Sequence, residues 1–289
     1  MIRTSPAQKT FQAFNYTFLT VLAVSMLLPF LHILAGSFSS GNAILQGKVT
    51  IFPAEFTWVN YKVVLNDIAI WKSFGVTVFI TVVGTALNLF FTSLMAYGLS
   101  KKDLKGRSLI VLFVLFTMIF QAPMIPSYLV VKNLFMLDTL WALMIPGLIS
   151  AFNLFIMISF FQGIPDNLTD AAKIDGCGEY RTLWKVVLPL SLPSLTTIGL
   201  FYAVGHWNSY AGALMYIRNT DLYPLQLRLR KLIVESDAEG MLQAANVTLQ
   251  SIEGIKMATI IVATIPILII YPLIQKHFVK GSMLGSIKG

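Results

Sequence analysis

The stretch SFGVTVFITVVGTALNLFFTSLMAYGLS, from Ser73 to Ser100, contains no Asp, Glu, Lys or Arg. A helix needs about 20 mostly apolar residues to cross the hydrocarbon of a bilayer, because each residue rises about 1.5 Å and every backbone polar group must be satisfied within the segment. This stretch is long enough. The same criterion, applied in both directions along the chain, finds five more segments. The first lies in the uncharged run from Thr10 to Gly47, centred on Phe18 to Leu34, with its span at about 14–36. The others run from Ser108 to Val131, Thr139 to Phe161, Val187 to Ile217 and Met257 to Gln275. A cleaved signal peptide is the alternative for the first segment, but its apolar run is too long and no small-residue cleavage site follows it.

Composition agrees, with 56% hydrophobic and 12% charged residues, against about a quarter charged in an ordinary soluble domain. The expectation is an all-α polytopic membrane protein. It is a single domain over 1–289, with six transmembrane helices and a polar loop at 165–186 between the fourth and fifth. Lys and Arg stay preferentially on the cytoplasmic side of short loops. One side has Arg3, Lys9, Lys101, Lys102, Lys105, Arg107, Lys173, Arg181, Lys185, Lys276, Lys280 and Lys288; the short loops opposite have Lys48, Lys62, Lys72 and Lys132. Both termini are therefore expected in the cytoplasm. The long outer loop from Arg218 to Lys256 carries basic residues too, but long loops cross largely regardless of charge.

The formal charge of +8 is spread over these flanks rather than gathered on a soluble face, so it reads as membrane topology and not as nucleic-acid binding. Cys177 is the only cysteine, which excludes an internal disulfide framework.

The six segments contain no Asp, Glu, Lys or Arg, whereas ion-coupled carriers place ionisable groups within the membrane. That argues against an ion-coupled secondary carrier. His32 and His206 stand without an intramembrane carboxylate nearby in sequence. A membrane-embedded enzyme would need a nucleophile, a metal or paired carboxylates. The acidic groups Asp166, Asp170, Asp175 and Glu179, and Glu235, Asp237 and Glu239, have no histidine beside them, so no catalytic, cofactor or metal site is assigned. Gly47-Lys48-Val49 lacks the spacing of a nucleotide-binding loop. If ATP drives this protein, it is hydrolysed on another chain.

The loop PDNLTDAAKIDGCGEYRTLWKVVLPLSLPSL, Pro165 to Leu195, has a helical grammar of its own. Asn167 is positioned to cap a first short helix, Asp170 favours its positive end, and Gly176 is a natural stop, with a second turn restarting beyond Gly178. Ala171 and Ala172 would admit a close neighbour, with Leu168, Ile174, Leu183 and Trp184 offering apolar contact. The pattern by itself suits a docking element or an amphipathic linker lying on the membrane surface.

Asp170-Ala171-Ala172, then Gly176, then Val186-Val187-Leu188-Pro189 after nine intervening residues resembles the EAA loop of bacterial ABC importer permeases. Two residues depart from the pattern: Asp170 stands for glutamate and Val186 for isoleucine. The resemblance implies that Asp170, Ala171, Ala172, Asp175 and Gly176 belong to a coupling helix seated in a groove of an ATPase subunit. It further implies a second homologous permease, two ATPase subunits that bind ATP and Mg, and an extracytoplasmic sugar-binding protein, all at a bacterial inner membrane. The segments Leu28-Pro29-Phe30, Ser37-Phe38-Ser39, Ala96 to Ser100 and Trp207-Asn208 are similar to carbohydrate-uptake permeases related to the smaller maltose-type permease. Pro126 to Val131, and Pro224-Leu225-Gln226 with Leu229-Arg230, resemble the subgroup for complex or acidic oligosaccharides, including alginate- and pectin-derived ones. By the same resemblance the tail at Gly281, Gly285 and Lys288 reaches the ATPase dimer, and the outer loop after the fifth span contacts the binding protein.

A sugar crossing hydrocarbon needs groups that replace its water and flat faces that stack on its rings. Gln121, Asn153, His206, Trp207, Asn208 and Tyr210 are the candidates, each with interhelical packing as the alternative. Pro123, Pro126, Pro146, Pro193, Pro266 and Pro272 mark possible kinks.

Overall fold

The computed structural model describes residues 6–120, 122–234 and 252–282. Among these residues the regular structure is helical throughout: α1 (Pro6–Ser37), α2 (Gly41–Leu45), α3 (Val59–Asn66), α4 (Ile68–Ser100), α5 (Arg107–Ile119), α6 (Met124–Asn133), α7 (Trp141–Met144), α8 (Ala151–Gln162), α9 (Asp166–Ile174), α10 (Glu179–Thr182), a π-turn (Leu183–Val187), α11 (Leu188–Leu190), α12 (Leu192–Trp207), α13 (Ala211–Tyr216), a 3-10 turn (Thr220–Leu222), α14 (Leu225–Val234) and α15 (Ile252–Ser282). The described residues divide into two compact units, one drawn from 6–70, 229–234 and 252–265 and the other from 71–120, 122–228 and 266–282.

Within the first unit, α1 is 32 residues long and exposes apolar side chains such as Phe14, Val21 and Phe30 along most of its length, as a helix surrounded by hydrocarbon would. Its last turn is closed by side chains from the following segment. Asn60 Nδ2 donates to the Ser37 and Ser39 carbonyls, both at 3.0 Å. His32 Nδ1 lies 2.8 Å from the Thr50 carbonyl oxygen. The bond to Ser37 satisfies a carbonyl that the helix end leaves without an intrahelical partner. Asn60 also presses on α15, where a Cβ on Gly254 would lie 2.5 Å from the Asn60 amide nitrogen.

The second unit is built on the buried cluster Ala96, Tyr97, Leu99, Leu154, Met157, Ile158, Phe161, Leu183, Val187, Ile198 and Tyr202. These side chains come from α4, α8, the π-turn and α12, so the end of α4 and the restart after α9 share one core.

By length and composition, the described helices able to cross a membrane unbroken are Gln8–Ser37, Ile68–Ser100 and Ile252–Ile269. The stretches expected as third, fourth and fifth spans are interrupted. The third is split between α5, which ends at Ile119, and α6, which starts at Met124 after Pro123. The fourth divides between α7 and α8 around Pro146 and Gly147, leaving α8 with 12 residues, about 18 Å of helix. The fifth is bent by 85° between residues 179–190 and 192–207, then breaks again at Asn208 before α13. At the breaks beside Pro123, Pro146, Pro189 and Pro193 proline supplies the reason: it has no N–H to donate, and its ring crowds the preceding turn. Leu188 N–H bonds the Leu183 carbonyl five residues back, in the π-turn directly before Pro189. Pro266 and Pro272, by contrast, lie within the continuous α15.

Candidate functional site

The loop between α8 and α12 begins with α9, whose start differs from the sequence expectation. Pro165 occupies the cap with φ −59°, Asp166 opens the helix, and Asn167 falls inside the first turn. Asp166 sits at the positive end of the helix dipole and Lys173 at the negative end, both stabilising placements. Termination follows the expectation at Gly176. This residue has φ +76°, its N–H donates to the Lys173 carbonyl at 3.0 Å, and Cys177 N–H donates to the Ala172 carbonyl at 2.9 Å. That pair of bonds is a Schellman closure, which needs a left-handed residue at the Gly176 position.

Asp170, Ala171, Ile174, Asp175 and Gly176 are exposed, Ile174 at 87%. Ala172 is buried against the rest of its own chain, and Leu183 is fully buried in the core. The outward face therefore consists of Leu168, Asp170, Ala171 and Ile174, joined beyond the corner by Tyr180 and Trp184. Ala172 and Leu183, expected from the sequence to offer contact, instead fasten the loop from behind.

Glu179, two residues past Cys177, ties this loop to the end of α4. Its Oε2 accepts from the Tyr97 hydroxyl at 2.6 Å and from Lys101 Nζ, while Lys173 Nζ of α9 lies 3.5 Å from Oε1. Lys101 first, then the Tyr97 hydroxyl and more weakly Lys173, hold the Glu179 carboxyl down from 4.5 to about 2. A carboxylate whose pKa is lowered on folding contributes stability above its unfolded value and loses it as pH falls through the folded one. The difference in melting temperature between native protein and Glu179→Gln in detergent should thus stay flat over about pH 5 to 8 and shrink between about 4.5 and 2. A difference that changes near neutrality would refute the assignment.

A second polar constellation lies within α4, α8 and α12. Asn88 Nδ2 donates to the Gly147 and Leu148 carbonyls, both at 2.8 Å, which are set free by the break before α8. Because its amide nitrogen is so engaged, its Oδ1 accepts, and His206 Nε2 at 2.6 Å is the donor. The close approach needs glycine opposite, since a Cβ on Gly84 would lie 2.6 Å from that nitrogen. Ser150 N–H donates to the Tyr202 hydroxyl at 2.9 Å, and Thr92 Oγ1 lies 2.8 Å from the same oxygen.

The remaining expected pathway residues are dispersed around this seam. Trp207 is buried edge-on to Phe74, and its Nε1 is among the described buried polar atoms with no hydrogen-bond partner. Asn208 caps α12 by donating to the Val204 carbonyl at 2.9 Å. Tyr210 packs on the Ala213, Ile217, Tyr223 and Leu227 cluster, and Asn153 is buried in the first turn of α8. Gln121, Gly285 and Lys288 lie outside the described residues, and Gly281 is described only as backbone near the end of α15. Asn88 was not singled out from the sequence, although the test that selected Gln121 and Asn153, an amide within an apolar span, applies to it equally.

Residues 91–282 match the family model described as the binding-protein-dependent transport system inner membrane component. The chain belongs to this family. It is a transport permease rather than an enzyme, and the matched region runs from the end of α4 through the Asp170 loop to α15. The permease is 46% identical over 283 residues to the polygalacturonan/rhamnogalacturonan transport system permease protein YtcP of Bacillus subtilis (strain 168), covering 97% of this chain and 99% of that one. It is 48% identical over 288 residues to Protein LplC of the same organism, covering 98% and 96%. Among solved structures, a chain of a bacterial ABC transporter involved in the import of the acidic polysaccharide alginate superposes with a TM-score of 0.89 at 34% identity, covering 96% of the permease and all of that chain. Among the described residues of the permease, no group of three or more His, Cys, Asp or Glu side chains could hold a metal ion.

Proposed function

We propose that this chain is one of two related permeases lining the import path for a complex or acidic oligosaccharide, such as an alginate- or pectin-derived one, driven by two ATPase subunits, one of which docks on the face of α9. The observation that carries the coupling part is the exposed Leu168, Asp170, Ala171 and Ile174 face, terminated by the left-handed Gly176. A short helix presenting a carboxylate beside a small residue and a protruding apolar one suits insertion into a groove. The acidic substrate class is supported by the near full-length similarity to the polygalacturonan/rhamnogalacturonan permease and to the alginate importer chain.

The whole chain acts as one permease domain with both termini in the cytoplasm, a reading supported by the distribution of Lys and Arg. ATP and Mg bind the ATPase subunits, an extracytoplasmic binding protein delivers substrate to the outer loop, and the Gly281, Gly285 and Lys288 tail meets the ATPase dimer. Of the pathway candidates, Asn153, Trp207 and Tyr210 contribute a buried amide and aromatic surface within the second unit, with Asn208 and His206 already engaged in hydrogen bonds there.

Reconstitution with a partner permease, the ATPase pair and a binding protein tests this. ATP-dependent uptake of labelled oligogalacturonides is expected in preference to neutral arabino-oligosaccharides. Asp170→Lys reverses the charge at the docking face and should weaken retention of the ATPase subunits by roughly tenfold or more, with insertion unchanged. Uptake that proceeds without ATPase subunits would refute the coupling reading, and transport of the neutral sugars alone would refute the substrate class.

A further inference from the structure

We propose that Glu179 is a positioning residue that transmits movement of the docking helix to the second span, by bridging Lys173 of α9 to Tyr97 and Lys101 at the end of α4. The inference rests on the coupling reading of α9 given above. The covalent route out of α9 passes through Gly176-Cys177-Gly178, a corner with a glycine on each side and one of them at φ +76°. Such a corner is compliant, because glycine adopts many backbone conformations at little cost. Part of a load applied to α9 would be absorbed there.

Glu179 is the first residue beyond the corner, and it spans it. Its Oε1 faces back to Lys173 at 3.5 Å, while its Oε2 receives the Tyr97 hydroxyl at 2.6 Å and Lys101. Tyr97 is anchored in the same core as Leu183 and Val187, so the contact ends on a packed element rather than on a loose surface chain. A cavity of about 690 Å³, lined among others by Tyr97, Lys101, Asp166, Asp170, Lys173 and Glu179, opens between α9 and the end of α4. Behind α9, Ala172 is buried and the π-turn residues Leu183 and Val187 share a core with Tyr97, but on the side of this gap the Glu179 carboxylate is the direct polar connection between α9 and the end of α4. Exposed ion pairs add little to stability, and Glu179 is half-exposed. Its removal should therefore disturb coupling more than folding.

Hydrogen–deuterium exchange of the assembled transporter, with and without a non-hydrolysable ATP analogue, tests this without requiring a known sugar. In native protein, the analogue should change protection of peptides covering 166–176 and 95–107 together. In Glu179→Gln the first peptide should still respond, while the response of the second falls roughly fivefold or more, within the range of site-to-site couplings. Tyr97→Phe, which keeps the buried ring and removes only the hydroxyl, should reduce the same response, and combining it with Glu179→Gln should add less than the sum of the two. A native-like response of 95–107 in both variants, or strictly additive losses, overturns the proposal. If 166–176 fails to respond even in native protein, the docking assignment of α9 falls instead.

Discussion

Gly176→Pro should reduce ATP-driven uptake by roughly tenfold or more, the factor that corresponds to about 1.4 kcal/mol, while the membrane-embedded helices remain folded. The position has φ +76°, whereas proline is locked near −65°. Proline also lacks the N–H that here donates to the Lys173 carbonyl at 3.0 Å. Both halves of the Schellman closure are then lost, and the chain leaving α9 must take another direction. Because the closure lies at an exposed corner and away from the Leu154, Met157 and Ile198 core, the loss should be confined to the loop. A graded series separates conformation from bulk. Asn tolerates the left-handed region and should remain near native, whereas Ala costs about 1 kcal/mol there and should be intermediate. The measurement is uptake into vesicles, normalised to the amount of permease inserted. Equal uptake by the native and proline forms would remove the stop at Gly176 from the mechanism.

The same corner shows why part of the loop was legible in the sequence. A glycine after a run of helix formers, with another glycine two residues on, has few structural uses besides ending a helix. The start of α9 was less legible because two local signals competed. Asn167 has capping chemistry, but Pro165, with a helix-compatible φ of −59° and an extended ψ of 132°, already stands at the cap and its carbonyl accepts the Leu168 N–H at 3.1 Å, so the helix begins earlier. Which faces the residues present was also not local information. Ala171 and Ala172 are identical in sequence terms, yet Ala172 is buried behind α9 while Ala171 is exposed.

The spans divide along the same line. Uncharged stretches locate chain that must avoid water, but hydropathy does not change across a break when both sides are apolar. Trp141–Met144 and Ala151–Gln162 therefore read as one segment. Pro146 was a visible warning. What makes the break tolerable, a donor that takes up the exposed carbonyls, comes from Asn88, about 60 residues earlier in the chain. Glu179 was similarly visible only as one of several loop carboxylates, because Tyr97 and Lys101 reach it across about 80 residues.

Asn88→Leu should be among the most destabilising single substitutions in the second unit, lowering the melting temperature of the detergent-solubilised permease by roughly 5–15 °C, which corresponds to about 2–4 kcal/mol in a chain of this size. Interhelical hydrogen bonds in membranes average only about 0.6 kcal/mol, because the separated helices find other partners. That average does not transfer to Asn88. The Gly147 and Leu148 carbonyls it serves belong to an interruption rather than to a regular helix, so without the fully buried Asn88 amide they lose the donor that stands in for a helical N–H. Leaving a fully buried acceptor unsatisfied costs about 1–3 kcal/mol; here two part-buried carbonyls lose their donor, together with the His206 Nε2–H that loses its acceptor. Asn88→Asp should be at least as harmful, since its carboxylate can accept from His206 but can donate nothing to the two carbonyls. His206→Leu should cost less than either, because Asn88 retains both of its donor bonds. The ordering is the decisive observation: if His206→Leu lowers the melting temperature more than Asn88→Leu does, the seam is organised around the imidazole and not around closure of the broken fourth span.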